Sequence, residues 1–369
     1  MSSTSTQPTT LRVFSRAADL PREAWAGLLR PEDLFLGDRW LEVAERTAGC
    51  PMRYLLLDRA GETVAGLATA LADDTAPWVL GRPDTMLEAA AADGREGAAE
   101  VLAALPGPAA DSLLPTLVCG GRHMGRSRVP RRPDTGRAEV EALVARAEEL
   151  AAEQGARSVA FPFVEDGDTV LRQVLRERGY LVHEAGRYSS LTVDARGFDG
   201  YLERLSSAKR RRRVLAERRR IAAAGVELRL APLSAELIPR LGELEEQLMG
   251  KYGVTWTAAQ TEQVLREMLA EYGSDARVVL AEAEGGIRGF ATLLHFRGHW
   301  YARQTGFDYD YQQRHNLALY FETVYYFPVE AAARLGIEAV HYGLGSEEAK
   351  ASRGCTAETH HAHLLPLAP

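Results

Sequence analysis

The sequence predicts an α/β protein of two tandem units, each a mixed central sheet flanked by helices. Three observations lead there. LLLDRAGETVAGLATAL (55–71) and VVLAEAEGGIRGFATLL (278–294) align without a gap, and both read as strand, turn, strand. EALVARAEELAAEQGARSVAFPF (141–163) and FETVYYFPVEAAARLGIEAVHYG (321–343) each read as a helix, a stop glycine (Gly155, Gly336) and an apolar strand. LRERGY (175–180) and AKASRGC (349–355) both carry Arg-Gly before a final strand. Echoes in one order imply duplication of a unit that runs helix, hairpin, strand, helix, strand, short helix, strand.

The elements follow in order. Residues 1–10, MSSTSTQPTT, are a polar tail without the apolar stretch of a signal peptide. The first unit spans 11–195. Its loop GGRHMGRSRVPRRPDTG (120–136) is basic and flexible, and either contacts substrate or is simply solvated. The second unit, 196–369, opens with a basic helix over 206–224. A chain of 369 residues suits two domains, and 46% hydrophobic with 26% charged residues is ordinary for a soluble protein. No apolar run approaches the ~20 residues of a membrane helix, so no membrane insertion is expected. Cys50, Cys119 and Cys355 are too few and too scattered for a disulfide framework or zinc cluster. A reduced, cytoplasmic setting fits them.

Net charge is −7, yet SSAKRRRRVLAERRR (206–220) holds eight basic residues against one acidic, Glu217. Ser206 and Ser207 mark a helix start. Cations in a first helical turn are disfavoured by a few tenths to ~1 kcal/mol each. A local polyanion partner accounts for the cluster, and a solvated helix is the plain alternative. On a 100° wheel Val214, Leu215, Ile221 and Ala222 form the apolar face, with Arg211 and Arg218 at its centre. These two either snorkel or line a cleft holding an anion. The cleft is the favoured reading, and Lys209 joins them as a substrate-binding candidate.

WYARQTGFDYDYQQRHNLALYFETVYYF (300–327) is the most aromatic stretch. Arg303, Tyr309, Asn316 and Arg314 are its substrate-binding candidates, and Tyr311 is expected beside them in the cleft. In ETHHAHLLPL, His361 and His363 share one strand face and His360 takes the other. No third ligand at suitable spacing accompanies them, so no metal site is expected. His363 suits a general base, since imidazole titrates near working pH.

The element order resembles the GNAT acyltransferase fold. The tandem arrangement with a lysine/arginine-rich helix opening the second unit resembles the Fem-type aminoacyltransferases and their FemAB-like and CelD-like relatives, over roughly residues 30–365. GSEEAKASRG (345–354) is similar to that family's acidic-x-Lys-x-x-Arg-Gly stretch. The resemblance implies attack of an amine on an activated acyl carbon, with Lys350 stabilising the oxyanion. Glu348 would orient Lys350 or take the amine's proton, and Arg353 would clamp a carboxylate or phosphate. Where a GNAT enzyme carries Gln/Arg-x-x-Gly-x-Gly/Ala for the CoA pyrophosphate, this chain has Gln313-x-x-Asn316-x-Ala318. The implied function is transfer of an aminoacyl group from aminoacyl-tRNA, whose acceptor end is the partner, to an amine or related nucleophile on a small molecule or cell-wall precursor. No further cofactor is implied. Two alternatives stand beside it: an N-acyltransferase using acetyl-CoA or another acyl-CoA, and a non-catalytic tandem domain binding a phosphorylated ligand or other polyanion.

Overall fold

The computed structural model describes residues 8–76, 81–121 and 125–367. Its strands in chain order are β1 (Thr9–Phe14), β2 (Met52–Arg59), β3 (Glu62–Ala72), β4 (Thr116–Cys119), β5 (Ser158–Glu165), β6 (Leu181–Thr192), β7 (Glu227–Pro232), β8 (Ala276–Ala283), β9 (Gly286–Phe296), β10 (His299–Phe307), β11 (Ala339–Gly343) and β12 (Thr356–Pro366). The chain divides into two compact units, Met1–Tyr188 with Glu358–Pro369, and Ser189–Ala357. The boundary therefore falls inside β6 rather than after Ala195, and the last strand belongs to the first unit rather than the second. The polar tail is also shorter than expected, because Thr9 and Thr10 already pair with β2.

In the first unit the strand order is β1-β2-β3-β4-β5-β12-β6. The β2–β3 hairpin turns through two left-handed residues, Ala60 (φ 51°) and Gly61 (φ 83°), the backbone that matches strand twist in a two-residue turn. Helix Arg137–Glu153 buries Val140, Leu143, Val144, Ala147, Leu150 and Ala151, the 3–4 spacing of one helical face. Each large side chain so buried contributes about 1.5–3 kcal/mol. β12 pairs antiparallel with β5, from His360↔Glu165 to Pro366↔Ser158.

In the second unit the order is β6 (by its end, Ser189–Thr192)-β11-β10-β9-β8-β7. The β8–β9 hairpin turns at Glu284 (φ 52°) and Gly285 (φ 70°), one residue later than the gapless alignment places it. The stop glycines agree closely: Gly155 and Gly336 have φ 70° and 68°, and Gly179 and Gly354 have φ 86° and 81°. β10 and β11 run parallel for only three pairs, His299↔Ala339, Trp300↔Val340 and Tyr301↔His341. Beyond them both strands continue without pairing to each other, and the carboxyl ends of parallel strands are the usual ligand position. Helix Ile238–Lys251 crosses β10 so closely that a Cβ on Gly306 would lie 2.4 Å from the Leu244 carbonyl carbon.

Candidate functional site

Helix Ala208–Ala223 begins where the Ser207 hydroxyl accepts the Arg210 backbone N–H. Its buried residues are Val214, Glu217 and Ile221. Leu215 is 40% exposed and Ala222 is exposed, so the expected apolar face is rotated, with a carboxylate at its centre. Glu217 accepts from Tyr326 Oη at 2.6 Å, Arg213 Nε at 2.9 Å and Arg353 Nη2 at 3.2 Å. Arg211 and Arg218 are half-buried, as the wheel places them. Their donors serve the chain itself, however. Arg211 donates to the Leu205 carbonyl at 2.9 Å. Arg218 donates to both Glu322 oxygens at 3.0 and 3.2 Å and to Glu330 at 2.9 Å, with its guanidinium 4.2 Å from the Phe198 ring centroid. The anion expected at Arg218 is thus a pair of the protein's own carboxylates. Lys209, Arg212 and Arg219 are exposed and have no partner among the described residues.

A cavity of about 240 Å³ lies beside this helix, lined by Arg213, Glu217, Arg220, Asn316, Ala318 and Phe321, among others. Asn316, in the place of the family glycine, adopts φ 52°, ψ 50°, the left-handed region that asparagine tolerates better than most residues. Arg220 reaches the Asn316 carbonyl at 3.4 Å. Arg314 is exposed. Tyr311 is fully buried core rather than cleft lining. Tyr309 is half-buried beneath the Lys251 ammonium, 4.5 Å from its ring centroid, and burial pushes its hydroxyl up to about 12.

Lys350 sits on helix Glu347–Ser352 and is buried. Its ammonium donates to the carbonyls of Tyr342 at 2.9 Å, Gly343 at 2.8 Å and Leu344 at 2.7 Å. All three N–H groups are therefore engaged at the end of β11, leaving none for an oxyanion. Burial lowers this ammonium to about 8, against the opposing pull of Cys355 and Glu347. Glu348 does not orient Lys350; it is exposed and without a partner among the described residues. Helical spacing explains this, because positions three apart share a face and positions two apart do not. Arg353 is buried on Glu217, its guanidinium 3.5 Å from the Phe321 ring centroid, and so is not an open clamp.

Beside Lys350 lies a cluster of phenols. The Tyr320 and Tyr325 hydroxyls are 3.1 Å apart, and the Tyr325 and Tyr342 ring centroids 4.6 Å. The Tyr342 hydroxyl is buried with no hydrogen-bond partner among the described residues. On β10, half-buried Arg303 lies in the electrostatic reach of Glu245; burial lowers its guanidinium and Glu245 raises it. Glu245 is buried and accepts from Thr261 Oγ1 at 2.7 Å, which accepts from Trp256 Nε1 at 2.9 Å. Burial lifts the Glu245 carboxyl to about 7. Sequence reasoning passed over Glu217, Glu245 and Glu322. The signal was available for the first two, since each is an acid at an apolar-stripe position of its helix.

His363 belongs to the first unit. It is buried, and desolvation, then His361 and Arg172, hold it down at about 3. An imidazole so depressed is a poor base near neutrality, which removes the expected role. His361 is half-buried, 3.3 Å from Asp166. His360 is fully buried and stacks on Tyr188 at 5.4 Å. Among the described residues no group of three or more metal-ligating side chains is placed to hold a metal. In loop 120–136, residues 122–124 lie outside the described residues. The rest is an ordered strap rather than a flexible loop. Ser127 N–H donates to Phe163 O at 2.8 Å, and Gly66 N–H to Pro130 O at 2.9 Å. Its arginines are neutralised locally: Arg126 by Glu165 and Glu358, Arg128 by Asp33, and Arg131 by both oxygens of Asp168.

A FemAB-like family model, described as peptidoglycan biosynthesis/recognition, matches residues 122–366. No curated protein sequence matches the chain significantly. In three dimensions the chain is similar to FemX at 12% identity, covering 95% of this chain and 96% of that one, with a TM-score of 0.62. It is similar to a tandem GNAT protein from the clavulanic acid biosynthesis pathway at 14% identity, covering 98% and 99%, TM-score 0.56. A conserved protein of unknown function from Bacteroides thetaiotaomicron matches at 10% identity, covering 96% and 100%, TM-score 0.56. At these identities the likeness is one of fold. No helix among the described residues is long and apolar enough to cross a membrane.

Proposed function

This chain belongs to the FemAB-like family, and from that premise we propose that it forms an amide bond by moving an aminoacyl group from aminoacyl-tRNA to an amine on a small molecule or cell-wall precursor. Family and tandem fold together support acyl or aminoacyl transfer in general. The finer reading rests on one observation. Lys209, Arg212 and Arg219 are exposed and unpartnered on the same helix that lends Arg213 and Arg220 to the 240 Å³ cavity. Such a surface supports an extended phosphate backbone as partner, through sequence-independent contacts that weaken as salt rises. The donor's acyl end would lie at the carboxyl ends of β10 and β11, where the two parallel strands cease to pair. There, held beside the amine, it reacts in an effectively unimolecular step. A reaction that uses charged tRNA is a cytoplasmic one.

Acyl-CoA is the second reading, favoured by the left-handed Asn316 and the cavity beside it, where a pyrophosphate would meet Arg213 and Arg220. The experiment offers the purified protein either total tRNA charged with radiolabelled amino acids or radiolabelled acetyl-CoA, with a mixture of amine acceptors. Salt-sensitive loss of label from tRNA is the expected result. Loss from acetyl-CoA alone selects the second reading, and survival of both donors leaves a non-catalytic polyanion-binding protein.

A further inference from the structure

Acyl transfer to an amine needs a hydrogen-bond donor at the oxygen that becomes an oxyanion. The Lys350 ammonium is fully engaged by three backbone carbonyls. The first of these carbonyls is that of Tyr342, whose own hydroxyl is a buried donor without a partner among the described residues. Buried polar groups are nearly always paired, and an exception calls for a reason. Tyr342 stands one residue past the last β10–β11 pair, Tyr301↔His341, where the two parallel strands cease to pair.

We propose that Tyr342 is the catalytic oxyanion donor of the transfer, and that Lys350 is the positioning residue that holds it. The proposal rests on the acyl-transfer reading above. The loop after Tyr342 passes through three left-handed residues, Gly343 (φ 65°), Gly345 (φ 76°) and Ser346 (φ 49°). The serine among them lacks the freedom of glycine, and the ammonium bonds tie this turn to the end of β11. The Tyr325 ring, 4.6 Å away, restrains the Tyr342 ring. Burial keeps the phenol well above its ordinary titration range, and the groups that act on it are Cys355, Tyr201 and Tyr320, none of them a carboxylate. The phenol thus stays an O–H donor at working pH.

The step balances. The amine lone pair forms the new C–N bond while the carbonyl π pair moves onto oxygen, which accepts the Tyr342 hydrogen bond. Collapse re-forms C=O and breaks the ester C–O bond to the tRNA ribose, or the C–S bond of a thioester. The leaving atom takes the proton that the amine gives up, and Tyr342 keeps its own.

Tyr342→Phe deletes only the orphaned hydroxyl. Removing an unpaired buried polar group is neutral or stabilising, so its melting temperature should equal or exceed the wild type's. Its kcat for consumption of charged tRNA or acetyl-CoA should fall about 10²–10³-fold at nearly constant KM. Lys350→Met should also lower kcat rather than raise KM, and adding it to Tyr342→Phe should cause no further loss. Wild-type kcat in Tyr342→Phe overturns the proposal, as does multiplication of the two losses. Unfolding of Tyr342→Phe also overturns it, because the hydroxyl would then have a structural partner. If the wild-type protein consumes neither donor, the acyl-transfer reading itself fails and takes this one with it.

Discussion

Arg353 Nη2 lies 3.2 Å from each carboxylate oxygen of Glu217, which ties the one acidic residue of the basic helix to the motif 345–354. The stretch of like charge at the start of that helix is thus anchored by a buried ion pair and by the Tyr326 hydroxyl.

Glu217→Ala leaves the buried Arg353 guanidinium without its counter-charge. Removal of one partner from such a pair costs about 3–5 kcal/mol. Urea denaturation should show a loss of that size, and a smaller one for Glu217→Gln, which still accepts from Tyr326. A loss below about 1 kcal/mol would mean the pair behaves as an exposed one.

Charge reversal separates two classes of arginine. Lys209→Glu, Arg212→Glu and Arg219→Glu should weaken binding of total tRNA and lower the slope of log affinity against log salt, by about 0.7–0.9 for each phosphate no longer neutralised. Arg211 and Arg218 should matter less to tRNA, since both are half-buried, Arg211 is turned to the Leu205 carbonyl and Arg218 is paired with Glu322 and Glu330. Arg218→Gln should instead lower the melting temperature, because Glu322 and Glu330 lose a shared cation. Equal weakening of tRNA binding by all five changes would refute the distinction.

Glu245 gives a pH signature. Burial raises its folded value to about 7 from the ordinary 4.5, so the folded protein holds the proton more tightly than the unfolded chain. Its contribution is fully present below 4.5 and is lost as pH rises through 7. Glu245→Gln should match the wild type near pH 4.5 and exceed it above pH 7, by on the order of 3 kcal/mol. Thermal denaturation at pH 4.5 and pH 8 measures the difference; a gap that does not widen with pH refutes the assignment.

His363 has the opposite sign. Its folded value is depressed to about 3 from 6.5, so its contribution is present above 6.5 and lost as pH falls toward 3. His363→Gln should reduce the acid sensitivity of unfolding between those limits, as read from melting temperatures at pH 4 and pH 7.

Much of this fold was legible because its signals are local. Stop glycines, hairpin alternation and the Ser207 cap each depend on a few neighbouring residues. The assignment of β12 was not, because its partner β5 lies on the other side of the whole second unit in the chain and no local feature of THHAHLLP marks that pairing. Arg218 was placed correctly on its helix, but its partners Glu322 and Glu330 lie 104 and 112 residues away. Glu348 was misjudged for a simpler reason: nearness in sequence stood in for helical phase, which favours Glu347. Tyr342 carries no local mark at all, since an orphaned hydroxyl is visible only once its surroundings are known.

Because the strand that completes the first unit follows the whole of the second unit in the chain, synthesis and folding cannot proceed in step. Residues 189–357 must be made before Glu358–Pro369, an interval of roughly 10–30 s at ordinary elongation rates. Throughout it, β5 lacks its β12 partner along Ser158–Glu165, a segment buried at every position in the finished protein. Such an open apolar edge invites pairing with other chains. Nascent chains stalled within 189–357 are therefore expected to recruit holdase chaperones, and trimming the last strand should aggregate the amino-terminal half first.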